Sequence, residues 1–453
     1  MGATGTVTGS RFLLEHAGKR ILVDAGLFQG IRELRRRNWA PFPVPPASLD
    51  AVVLSHAHLD HCGYLPRLVA GGFAGPVLAT GGTARLAGIV LADSARLQEE
   101  DAAYAVARGY SKHAVPEPLY TQADVEATLR LLVEVDHGAP YLLPGDVRLM
   151  LRRAGHILGS CSVVLGLGER TLTFSGDLGR GTHPLLRGPD PPPDSDVIVV
   201  ESTYGDRKHP PADEAHLAEL IRGTAARGGV VLVPAFAVDR TEVFLLTLGR
   251  LREAGAIPDL PVHVDSPMAL AALEVYREAI SRGDPEIRPE AAASAARLLG
   301  AAALHEAHSA EQSKALNDPG GPCIIVSASG MAAGGRVVHH LRHLLPDPRN
   351  TVLLVGFQAV GTRGRDLLDG ATMLKMHGRY VPVRAEVAAV DEFSVHADAE
   401  ELIGWLGRAP RVPGATYVVH GEPDAAEALA RAARTRLGHL AVVARTGERV
   451  RCD

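Results

Sequence analysis

The sequence predicts an α/β protein of two or three domains, and three observations lead there. The chain has 453 residues and 46% hydrophobic content, enough for more than one sizeable core. Up to Tyr204, short apolar runs alternate with turns, as strands do. After Tyr204 the pattern becomes regular strand–helix alternation, the kind that builds a parallel sheet. Neither part shows an internal repeat or coiled-coil heptads.

In order, residues 11–15 and 20–24 read as strands of a hairpin around His16–Lys19, and AVVLS (51–55) reads as a buried strand. Helical periodicity runs from Thr83 to Arg108, and from Ala123 to Val135 behind a Thr121 cap. Residues 147–151, 162–166, 171–175 and 197–201 return to strand. The proline-rich stretch 189–196 reads as a solvated connection. The alternating block then predicts helices at 214–227, 241–254, 269–282 and 336–345. Its strands fall at 229–234, 261–264, 323–326 and 351–355, and an alanine-rich stretch spans 290–304. Strand 416–419, helix 424–437 and strand 440–444 close the chain.

Bulk chemistry excludes several classes. A formal net charge of −5 gives no global basic field, so phosphate recognition must be local. The four cysteines, Cys62, Cys161, Cys323 and Cys452, lie far apart with no CxxC pair, which argues against a disulfide framework or zinc ribbon. No signal-peptide core and no long apolar run is present, so the expectation is a soluble, cytoplasmic protein without a membrane partner.

The chemistry concentrates after the 51–55 strand, where the chain reads His56-Ala57-His58-Leu59-Asp60-His61. Strand side chains alternate, so His56 and His58 project to one side. A turn into helix then lets Asp60 and His61 face a second point nearby. Imidazole and carboxylate suit Zn²⁺, with Mn²⁺ as an alternative. Further ligand-type residues follow other apolar runs: His156 after 147–151, Asp177 after 171–175 and His420 after 416–419. Taken singly, each fits a cap or a surface turn. Beside HxHxDH, a metal site is the better account.

Asp24, the HxHxDH run, His156 and Asp177 resemble, in order, motifs one to four of the metallo-β-lactamase superfamily. Glu201, His396 and His420 resemble motifs A, B and C of its β-CASP branch, whose members are nucleases. SerAlaSerGlyMet (327–331), PheGlnAlaValGlyThrArgGlyArg (357–365) and ProAlaPheAlaValAspArgThr (234–241) are also similar to that branch. The resemblance spans essentially the whole chain. It implies an αββα metallo-β-lactamase sandwich over residues 1–206 and 381–453, with a β-CASP domain inserted over 207–380 as a lid. One departure is that relatives carry an apolar strand before the GAxxxVTGS segment, so the first strand is expected to be missing or short.

The resemblance also implies roles. Two Zn²⁺ are expected, one on His56, His58 and His156, the other on Asp60, His61 and His420, with Asp177 bridging. Asp24 would orient a ligand histidine. His396, held by Glu201, would protonate the leaving oxygen of the phosphodiester. Histidine at position 420 favours RNA over DNA, and the expected partners are single-stranded RNA and, as an option, a second copy of the chain. The glycine-rich turn with Ser327, Ser329, Gly330 and Arg336 reads either as a phosphate seat or as a tight packing turn. Arg363 and Arg365 read either as nucleic-acid contacts or as solvated surface. Two competing functions remain: a small ester or thioester hydrolase, which would lack motifs A to C, and a pseudonuclease, which would be expected to lose ligands.

Overall fold

The computed structural model describes residues 2–108, 116–210, 213–300, 304–390 and 393–452. Its first hairpin forms where the sequence alternates. Phe12–His16 (β1) and Lys19–Val23 (β2) pair antiparallel. The turn residues Ala17 and Gly18 both take positive φ, which matches the twist of a two-residue hairpin. Ala51–Val53 (β3), Val77–Ala79 (β4) and Leu132–Glu134 (β5) then add in parallel, giving a five-stranded sheet ordered β1-β2-β3-β4-β5.

Pro140–Leu143 (β6), Val147–Arg153 (β7), Cys161–Leu167 (β8) and Arg170–Phe174 (β9) form an antiparallel meander, and Val197–Val200 (β10) joins β9 in parallel. The next eight strands are Val230–Pro234 (β11), Val262–Val264 (β12), His305–Glu306 (β13), Cys323–Ser327 (β14), Thr351–Leu354 (β15), Met373–Met376 (β16), Arg379–Pro382 (β17) and Glu386–Ala389 (β18). Finally Ala415–Val418 (β19) and Ala441–Val443 (β20) extend the second sheet, ordered β20-β19-β10-β9-β8-β7-β6.

Contacts divide the chain into two units, residues 1–208 with 396–453, and residues 209–395. In the first unit two sheets share one core. Ile21, Val23, Ala51 and Val53 from one sheet meet Leu149, Leu151, Val163 and Phe174 from the other. Period-two alternation sends Ile198, Val200 and Val418 to the outer face, against the helices Ala399–Leu406 and Pro423–Leu437. The outcome is the sandwich layering that the sequence motifs imply. The second unit is a wholly parallel sheet ordered β13-β12-β14-β11-β15-β18, with β16–β17 as a separate hairpin. Every residue of β11 is buried, as a strand covered on both faces requires. Among the described residues no helix is long and apolar enough to cross a membrane.

One local expectation needs correction, and one helix has no counterpart in the sequence pattern. The helix behind Thr121 does form, and Thr121 with Asp124 closes a capping box, but it ends at Leu129. Residues 132–134 are instead β5, because Leu132 and Val133 gain ladder partners on β4 that a helix could not offer. The helix Ala399–Leu406, capped by Asp398, had no counterpart in the sequence reading.

Candidate metal centre

The ligand-type residues of the sequence sit on strand ends of the first unit, where short loops hang on fixed sheets. Asp24 follows β2, His56 follows β3, His156 follows β7, Asp177 follows β9, Glu201 follows β10 and His420 follows β19. His58 stands immediately before the short helix Leu59–Cys62, which carries Asp60 and His61. Asp24 and His420 both take positive φ, and His420 N donates to Ala3 O at 2.6 Å. Gly176 precedes Asp177 at φ 58, where a Cβ would meet Cys161 O at 2.8 Å. Only glycine fits there.

Two groups of atoms result. In the first, His56 Nε2 lies 3.1 Å from His58 Nδ1, and His156 Nε2 lies 3.2 Å from the same atom. Asp177 Oδ2 is 3.5 Å from His56 Nε2 and 3.8 Å from His156 Nε2. In the second, His61 Nε2 lies 3.1 Å from His420 Nε2, which is 3.4 Å from Asp60 Oδ2. Asp177 Oδ1 lies 3.3 Å from His61 Nε2. Asp177 thus presents one oxygen to each group.

Tetrahedral zinc with bonds of about 2.05 Å holds its ligands about 3.3 Å apart. The spacings cluster around that value. Ring nitrogens converging this closely repel through their lone pairs unless a proton or a cation stands between them. Asp177 Oδ1 is buried and makes no well-formed hydrogen bond, although it carries a carboxylate lone pair into the site. The donor set therefore fits divalent metal.

Second partners fix the rings. Asp24 Oδ2 is 2.7 Å from His61 Nδ1, while Asp24 also accepts from Ser55 N and Ser55 Oγ. Ser55 Oγ lies 3.0 Å from His56 Nδ1, and Thr203 Oγ1 lies 3.2 Å from His420 Nδ1. Sequence reading passed over Ser55 and Thr203. Their signal is adjacency, since each stands next to or two residues from a motif residue.

Glu201 is buried and accepts from Leu178 N at 2.7 Å and Thr203 N at 3.1 Å. Its Oε1 is 3.4 Å from His396 Nδ1. His396 is 14% exposed, and its ring centroid is 4.3 Å from that of His156. Its backbone bridges to Gly179, which places it beside the Asp177 loop.

Burial pushes His58 down to about 4, against the pull of Asp60 and Asp177. Burial likewise holds His56 well below the usual histidine value, with His61 adding to the effect. For His61 burial acts in the same direction, but Asp177 and Asp24 outweigh it and raise its pKa well above normal. His420 is raised in the same contest by Asp177 and Asp60. Burial would lift Asp177, yet His420, His61 and His56 hold it well below the carboxylate range.

The remaining sequence candidates lie in the second unit. Arg336 Nη1 donates to Asp265 Oδ1 at 2.6 Å and to Ala307 O at 2.9 Å. Arg363 donates to the carbonyls of Lys375, Ala332 and Ala333, and Arg365 pairs with Asp369. Ser327 Oγ donates to Asp265 O. Ser329 Oγ accepts from Ala333 N. A Cβ at Gly330 would strike the Phe236 ring at 2.5 Å. These bonds give the turn a packing reason of its own.

The chain matches the metallo-β-lactamase superfamily over residues 5–218, a Beta-Casp domain over 241–367 and a Zn-dependent metallo-hydrolase RNA specificity domain over 380–444. It is 38% identical to Ribonuclease TTHA0252 of Thermus thermophilus, over 99% of this chain and 98% of that one. It is 30% identical to the transcription termination factor FttA of Pyrococcus horikoshii, over 97% of this chain and 68% of that one. It is also 30% identical to an RNase J-like protein of Methanocaldococcus jannaschii, over 89% of this chain and 87% of that one.

One prediction follows from the charge state. His61 and His420 have raised pKa values, so they hold protons as the pH falls, and a protonated imidazole cannot ligate a metal. Zinc affinity, read by competition with a fluorescent chelator, is expected to drop at least about tenfold between about pH 7.5 and about pH 5.5. An affinity independent of pH over that range would contradict ligation by these histidines.

Proposed function

This chain belongs to the β-CASP branch of the metallo-β-lactamase superfamily, and from that premise we propose that it is a zinc-dependent ribonuclease that hydrolyses single-stranded RNA. Family membership and the two ligand clusters support use of divalent metal. We assign one Zn²⁺ to His56, His58 and His156 and a second to Asp60, His61 and His420, with Asp177 shared. The observation that carries this is the division of Asp177 between two clusters, each with zinc-like spacing. The Beta-Casp match argues against the small-ester alternative, and the complete ligand set argues against a pseudonuclease.

When bound, the cations supply positive charge that polarises a phosphodiester and acidifies water. The chain's own residues do the rest. Asp24, Ser55 and Thr203 lock the ligand rings in one tautomer. Asp177 sets the spacing of the two clusters. His396 sits beside them with Nδ1 toward Glu201, so its other ring nitrogen is directed to substrate. There it donates a proton to the departing 3′-oxygen, and Glu201 keeps the ring in position. RNA as substrate is supported by the relatives' names and by His420 at motif C.

The test is an assay on labelled single-stranded RNA and DNA of matched sequence, with and without chelator. RNA is expected to be cleaved at least roughly tenfold faster than DNA, with all activity lost to chelator. Equal or faster cleavage of DNA would overturn the assignment. His396→Ala is expected to keep its metal and lose roughly 10²- to 10⁴-fold in rate. A substrate with an activated leaving group should recover much of that loss. Equal damage on both substrates would mean that His396 binds or positions rather than donates.

A further inference from the structure

A basic segment on the first unit, exposed at residues 31–33 and 35–37, is bonded to the loop that carries Asp60 and His61. Residues 25–48 hold four arginines and a single carboxylate, Glu33, in a chain whose net charge is −5. The helix Arg32–Arg36 buries none of its residues. Arg32, Arg35 and Arg36 fall at i, i+3 and i+4, so they share one face, and Arg37 follows at once. Among the described residues, none of these four side chains makes an ion pair or a hydrogen bond; Arg37 lies 5.3 Å from the Phe28 ring centroid. This contrasts with Arg336, Arg363 and Arg365, which are all bonded within the second unit. Like charges at helical spacing destabilise a helix, and here no burial offsets them. Trp39 ends the segment with 54% of its surface exposed.

The segment is anchored at its C-terminal end. Asn38, 7% exposed, accepts from Phe28 N at 2.9 Å and Arg11 Nη2 at 3.2 Å, and donates to Phe28 O at 2.8 Å. The chain around Phe28 is bonded in turn to the ligand loop: Ala25 N donates to His61 O at 2.7 Å, and Leu27 N to Leu59 O at 2.8 Å. Between them, a Cβ on Gly26 would lie 1.6 Å from Asp60 O, so that contact admits only glycine. Asn38 and the 25–28 backbone thus tie the segment that carries the arginines to the loop that carries Asp60 and His61.

We propose that the Arg32–Trp39 surface docks single-stranded RNA, with phosphates on Arg32, Arg35, Arg36 and Arg37 and a base stacked on Trp39. Guanidinium forks match phosphate oxygens, and an exposed indole accepts any base face. The choice of RNA as occupant rests on the ribonuclease reading. The surface is separate from the metal ligands, and it supplies the local positive field that the chain's overall charge does not.

Binding is measured with full-length, metal-loaded protein in a His396→Ala background, by anisotropy of a fluorescent oligouridine over a range of salt. The triple substitution Arg32→Gln, Arg35→Gln, Arg36→Gln is expected to raise Kd at least about tenfold and to flatten the log–log salt slope by about 2. Replacing the same three with Lys should keep the slope. Trp39→Ala should weaken binding about tenfold with the slope unchanged. With His396 restored, turnover of bis(p-nitrophenyl) phosphate should stay within about twofold of the parent in every variant.

Unchanged Kd and slope in the triple variant would overturn the proposal. So would a matching fall in small-substrate turnover and melting temperature, which would mark a structural role, or parental binding to polyglutamate in preference to oligouridine. If the parent binds oligouridine through these arginines but cleaves no RNA, the ribonuclease reading falls and the docking surface stands.

Discussion

The structure depends on placing a buried carboxylate, Asp177, among five imidazoles with too few protons to satisfy them all. Isolated burial of such a charge is prohibitive, so the site is stable only when positive charge is shared across it. In the bare chain, protons on His61 and His420 do part of this. Cations do it better, because each accepts several lone pairs at once. The Asp177 oxygen nearest His61 and His420, whose pKa values that carboxylate raises, is Oδ1, while Oδ2 faces His56 and His156.

The scaffold is organised around that constraint. The candidate site residues come from the ends of strands in two sheets, β2 and β3 on one side and β7, β9, β10 and β19 on the other, and the shared core of Ile21, Val53, Leu151 and Val163 fixes the two sheets together. Local backbone then aims each group. Gly176 gives the turn before Asp177, while Gly26 lets the chain after Asp24 lie against Asp60 O. Replacing either glycine would move a ligand loop bodily, which makes them as much a part of the centre as the histidines.

Much of this was legible from sequence because the motifs report strand ends. Apolar runs at 51–55, 147–151 and 416–419 end just before His56, His156 and His420, so pattern and chemistry change together. The short hairpin at Ala17-Gly18 and the Thr121 cap were readable for similar local reasons. Strand 132–134 was not, since its apolar residues suit a helix and only pairing with Val77–Ala79 decides the matter. Ser55 and Thr203 were missed because a hydroxyl orienting an imidazole leaves no spacing rule. The arginine segment at 32–37 was overlooked because a charge run says nothing by itself. What distinguishes it is that, among the described residues, its arginines make no ion pair or hydrogen bond, together with the Asn38 anchor, and both are visible only in three dimensions.

The most direct test of the account is metal content per chain, by elemental analysis of the parent and of Asp177→Ala. If one carboxylate serves both clusters, the parent should carry close to two zinc ions and the variant at most one, with activity lost. Active parent protein holding a single ion, or a variant that keeps both ions and its activity, would contradict it.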